Sequence, residues 1–65
     1  MPSEDISTLK TQVYFYAQGG QGILLGNASH KLRCRYGFKH SDCLALSGLE
    51  LAEFDELVSM WDEDD

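Results

Sequence analysis

Apolar and polar residues alternate between His30 and Phe38. Leu32, Cys34, Tyr36 and Phe38 fall on one side, and Lys31, Arg33 and Arg35 on the other. A period of two marks a strand with one packed and one wet face, so a strand is predicted here. Gln12-Val13-Tyr14-Phe15-Tyr16-Ala17 is rich in β-branched and aromatic residues and reads as another. Val13, Phe15 and Ala17 share one of its faces, Tyr14 and Tyr16 the other. Gln18 to Gly22 breaks the pattern as a turn. Ile23-Leu24-Leu25 resumes a short strand up to a bend at Gly26-Asn27. After a loop from Gly37 to His40, Cys43-Leu44-Ala45-Leu46 returns as the last strand.

The pattern then changes period. Ser47-Gly48-Leu49-Glu50 fits a capping box, in which the serine hydroxyl and the glutamate carboxylate each satisfy an amide of the first turn. Leu51, Phe54, Leu57, Val58 and Trp61 fall within a stripe of roughly 120° at 100° per residue, and Glu53, Asp55 and Glu56 lie outside it. A helix over about 48–61 is therefore expected, its aromatic-rich face on the sheet and its acids toward solvent. The predicted fold class is α+β: an antiparallel sheet of three to four strands covered by one C-terminal helix, ββ(β)β–α. Its boundaries are a loose lead-in over 1–11, one domain over 12–61 and an acidic tail over 62–65.

Sixty-five residues allow one small domain, which buries only about 60% of the surface its unfolded chain exposes. That size excludes most enzyme architectures. No nucleophile–base pair is suggested by local spacing, and a single-layer domain leaves little room for a pocket, so no catalysis and no cofactor are expected. No apolar run approaches the roughly 18 residues of a membrane span, and the acidic start, Met1 to Asp5, is followed by no long apolar stretch. A cytoplasmic location with reduced thiols is the corresponding expectation.

Charge divides the chain. Four of the five bases, Lys31, Arg33, Arg35 and Lys39, lie within nine residues, whereas Glu50 to Asp65 carries eight acids and no base. The net charge of −6 argues against direct binding to nucleic acid or to an anionic membrane. Asp62-Glu63-Asp64-Asp65 opposes the dipole of the helix it follows, so local stability does not account for it. With Glu53, Asp55 and Glu56 it forms a carboxylate array suited to a cationic protein surface. The same acids also suit a solubilising face.

Two further groupings carry possible chemistry. Gly20-Gln21-Gly22 through Gly26 spells G-x-G-x-x-x-G, but the bend at Gly26-Asn27 leaves no helix for a phosphate to sit on, so the glycines read as a hairpin turn. His30, Cys34, His40 and Cys43 hold the inventory of a tetrahedral zinc site, though without C-x2-C spacing. In a hairpin pairing Tyr36 with Ser41, Cys34 would also stand opposite Cys43, at about 4.5–5.5 Å between Cβ atoms, a little long for a relaxed disulfide and so dependent on twist.

In size, acidity and one-domain build the whole chain resembles the small acidic inhibitors carried by phages and mobile elements, including anti-CRISPR proteins. The resemblance is of character and rests on no shared motif. It implies a non-enzymatic, phage-encoded protein in a host bacterium. By phosphate mimicry it would block the basic nucleic-acid-binding surface of a host machine such as a CRISPR effector. The partner-binding residues would then be Glu53, Asp55, Glu56, Asp62, Glu63, Asp64 and Asp65, with Tyr14 and Tyr16 as apolar anchors. The chain would act as a monomer or weak homodimer. The alternative is a small zinc-binding or homodimeric interaction module.

Overall fold

Counted with Leu9, the residues Val13 and Ala17 recur every four positions, and that helical repeat is the one the fold uses. A computed structural model describes residues 4–62, the side chain of Asp62 excepted. The first helix, α1, spans Ile6–Gln18 and buries Leu9, Val13 and Ala17. Asp5 caps it: its backbone is extended and its carboxylate accepts the Thr8 amide at 2.9 Å. Residues 6–11, expected as a loose lead-in, are therefore its opening turns. Phe15, expected on one face with Val13 and Ala17, is 66% exposed because 100° per residue carries it 200° away from Val13. Tyr16 is half-buried against the core.

The turn at Gly19-Gly20 leads into α2, Gly22–Tyr36, which packs against the other three helices. Its buried face is Gly22, Leu25, Gly26, Ala28, Ser29 and Leu32. The alternation at 30–38 does not survive, since Leu32 is buried while Cys34 and Tyr36, two and four residues on, are exposed. Gly37 ends α2 in the left-handed region, φ 74°, and the amides of Gly37 and Phe38 both donate to the Leu32 carbonyl.

Helix α3 spans His40–Ser47, where a returning strand is expected. The Lys39 amide donates to Asp42 Oδ2 at 2.9 Å, the reciprocal half of a capping box. Ser47 belongs to this helix: its hydroxyl donates to the Leu44 carbonyl at 2.6 Å and accepts the Leu49 amide at 3.1 Å. It does not cap the next helix through Glu50. That helix, α4, spans Leu51–Asp62 and begins three residues later than predicted. Phe54 is its buried centre, with Leu57, Val58 and Trp61 partly buried and Leu51 54% exposed.

Four helices thus stand where the α+β sheet is predicted, and no strand occurs among the described residues. The core joins Leu9, Val13 and Ala17 of α1 to Leu25, Ala28 and Leu32 of α2, Cys43 of α3 and Phe54 of α4. The glycines taken for a hairpin turn have a packing role. At Gly22 an added Cβ would overlap the Leu57 carbonyl oxygen, and at Gly26 it would overlap Trp61 Cβ. Two glycines one turn apart let the backbones of α2 and α4 approach within a distance no side chain permits.

Candidate functional site

Where the end of α1 meets α4, the packing leaves a groove of about 410 Å³ open to solvent. Its floor is apolar: Ala17 from α1, Leu49 from the α3–α4 connection, and Leu57 and Met60 from α4. Its rim is polar: Gln18, Gly20, Glu53 and Glu56. One wall is held in place by the Gln18 amide, which donates to the Ser47 carbonyl at 3.1 Å and ties α1 to the turn before α4. Tyr14 lies one helical turn before Gln18 and does not line the groove. Its ring lies against Gly48, where an added Cβ would stand 3.3 Å from Cε1. Gly48 itself sits at φ 75°, the left-handed stop of α3.

Glu53 and Glu56 are exposed, and among the described residues neither is in an ion pair. Three residues apart on one helix, their Cβ atoms lie about 5–6 Å from each other on one face. Asp55 points elsewhere, its Oδ1 2.8 Å from His40 Nε2. The structure therefore sets Glu53 and Glu56 together on the groove, turns Asp55 toward His40, and leaves Tyr14 against Gly48 and Tyr16 half-buried against the core. Asp62 closes α4, and Glu63, Asp64 and Asp65 lie outside the described residues.

The cationic strip also divides. Lys31 Nζ donates to both carboxylate oxygens of Glu4, at 2.7 and 2.8 Å, and Arg35 Nη1 lies 3.7 Å from the same group. The Lys31 hydrogen bond, with both charges, holds the Glu4 carboxyl below its ordinary range. Arg33 lies around the helix, beside a cleft of about 50 Å³ shared with Ser29, His40 and Trp61. There the buried Ser29 hydroxyl has no hydrogen-bond partner among the described residues.

The four residues considered for zinc are not assembled. Cys43 is fully buried, its thiol 3.8 Å from the Ser29 carbonyl, and His40 is engaged with Asp55. His30 and Cys34 do meet, Nε2 to Sγ 3.4 Å, one turn apart on the exposed side of α2. Among the described residues no three His, Cys, Asp or Glu side chains converge on a metal position. Both cysteines are free thiols, so the hairpin register that would oppose them is not formed. The His30–Cys34 contact is a thiol–imidazole pair that spacing of four on a helix could have indicated. Its imidazole stacks on Trp61, ring centroids 4.7 Å apart, and neither residue lines the groove or the smaller cleft.

The two thiols should behave differently. Iodoacetamide is expected to modify Cys34 rapidly in the native protein and Cys43 only after denaturant is added, read by mass spectrometry of digests. Burial raises the Cys43 thiol above its ordinary value of 9.0, so folding favours the protonated form. The resulting stability is complete below that value and declines as pH rises through and beyond it. Equal labelling of both thiols in the native state would contradict the position of α3.

Among the described residues no helix is long and apolar enough to cross a membrane. Comparison with protein-family models, with curated proteins and with solved structures finds no match to this chain.

Proposed function

We propose that this protein is a non-enzymatic acidic binding module that covers the basic, nucleic-acid-gripping surface of a protein partner, as an inhibitor of a host machine would. The observation that carries this reading is the pair Glu53 and Glu56, exposed beside an apolar groove and free of ion pairs among the described residues. Carboxylates already neutralised by neighbouring bases would offer a partner little. These two keep their charge available, on the helix that leads into Asp62-Glu63-Asp64-Asp65. The bases, by contrast, are partly occupied, since Lys31 and Arg35 hold Glu4. A Lys/Arg-lined surface shaped for phosphates would attract the acidic end at long range, with a strength that falls as salt rises.

The test is quantitative binding to the protein captured from bacterial host lysate, with two variants in parallel. One replaces Glu53, Glu56 and Asp62 to Asp65 by their amides; the other replaces Lys31, Arg33 and Arg35 by glutamine. Each exposed pair is worth roughly 0.2–1 kcal/mol, so the acid variant should lose a few kcal/mol together, about two orders of magnitude in affinity. The basic variant should lose much less, and duplex DNA or RNA should compete with the wild type for the same surface. Equal affinity of wild type and acid variant at low and high salt would remove the proposal.

A further inference from the structure

We infer that the α1–α4 groove is an anchoring pocket for one basic and one apolar side chain carried by a single segment of the protein partner. This rests on the acidic-module reading above and names the chemistry of its occupant. A volume of about 410 Å³ lies at the small end of pockets that take compact ligands, roughly 300–1,000 Å³, and has room for two neighbouring side chains. Ala17, Leu49, Leu57 and Met60 offer an apolar bed, and Glu53 and Glu56 stand together at its edge. Arginine and lysine match that division, with an aliphatic stem for the bed and a cationic head for the two carboxylates.

Charge complementarity selects against the other occupants. Among the described residues no lysine or arginine lines the groove, so its carboxylates repel a phosphate or an acidic peptide. A second copy of the chain, at net charge −6, is repelled as a whole, and two of its bases are held by Glu4.

The probe is an acetylated, amidated hexapeptide of alternating arginine and leucine, titrated into the ¹⁵N-labelled full chain. A second peptide carries glutamate in place of each arginine. The arginine peptide should shift the amides of Gly20, Leu49, Leu57 and Met60 saturably, with a Kd below about 1 mM, and the glutamate peptide should not. E53Q/E56Q should weaken the arginine peptide about tenfold, and Met60→Ser several-fold through the apolar bed. The first variant changes exposed side chains only, so a folded spectrum is expected of it even if Met60→Ser proves unstable.

Shifts that spread over the surface without saturating, or a Kd unchanged by E53Q/E56Q, would overturn the pocket. Concentration-dependent shifts of the same amides without peptide would overturn it in favour of a second copy. The two readings fail separately. Loss of host-protein capture in the acid variant, with no saturable peptide site in the wild type, removes the pocket and leaves the acidic module standing. A saturable, glutamate-dependent peptide site with capture unaffected by the acid variant removes the acidic module and leaves the pocket.

Discussion

Phe54→Ala should leave the domain largely unfolded at 37 °C. Phe54 is fully buried and is the largest side chain in the core, the point at which α4 joins Leu9, Val13, Leu25, Leu32 and Cys43. Its ring also packs beside His40, centroids 5.1 Å apart, so it ties α4 to the start of α3. Truncating a buried phenylalanine costs about 3–5 kcal/mol through lost transfer energy and the cavity left behind. A domain of 65 residues has in total roughly 3–10 kcal/mol at ordinary stability per residue. Circular dichroism at 222 nm with urea titration measures the outcome, with Phe54→Leu as the milder comparison. An unchanged midpoint for the alanine variant would mean that α4 does not dock through this residue.

The second large effect runs against helix propensity. In an exposed helix, alanine is more favourable than glycine by about 1 kcal/mol. Gly26→Ala should instead destabilise by about 1–3 kcal/mol, because its Cβ would overlap Trp61 Cβ and stand 2.9 Å from Cγ. In a domain of this size each kcal/mol moves the melting temperature by roughly 4–8 °C, so the fall should be plain in a thermal scan. Trp61 is the sole tryptophan, and its emission should shift to the red as α4 is pushed from α2. A rise in melting temperature would show that nothing approaches Gly26.

Both effects arise at places where local pattern misleads. Gly22 and Gly26 have the spacing of a helix–helix contact, yet the same residues punctuate a hairpin equally well. What decides is α4, thirty-five residues further on at both contacts, whose Trp61 and Leu57 backbone occupy the space a Cβ would need. At 30–38 the alternation is real in the sequence and irrelevant in the fold. A helix buries Leu32 with Leu25, Ala28 and Ser29, and it leaves Cys34 and Tyr36 in solvent. Spacings of three and four in Leu9-Val13-Ala17 and Leu25-Ala28-Leu32 carried the helical alternative, overshadowed by β-branched and aromatic residues whose strand preference is weak against tertiary packing.

The candidate site was legible in part for the same reason. Glu53 and Glu56 fall outside the apolar stripe of α4 whatever that helix packs on, so their exposure follows from period alone. Their place on a groove does not, since it depends on α1 being a helix whose last residue, Gln18, is tied to Ser47 beside α4. Asp55 lies outside the stripe as well, but two residues along the helix carry it about 160° around from Glu53, to the flank that meets His40.

The sequence by itself determined the separation of charge, an amphipathic C-terminal helix with Phe54 at its centre, and acids facing water. These are properties of composition and of a single period, and they need no partner element. Tertiary structure decided that the remaining described segments are helices, that paired glycines bring α2 against α4, and that an apolar groove opens beside two glutamates unpaired among the described residues. Those outcomes depend on which faces are buried together, and a short apolar run satisfies two periods until a second element covers one of its faces.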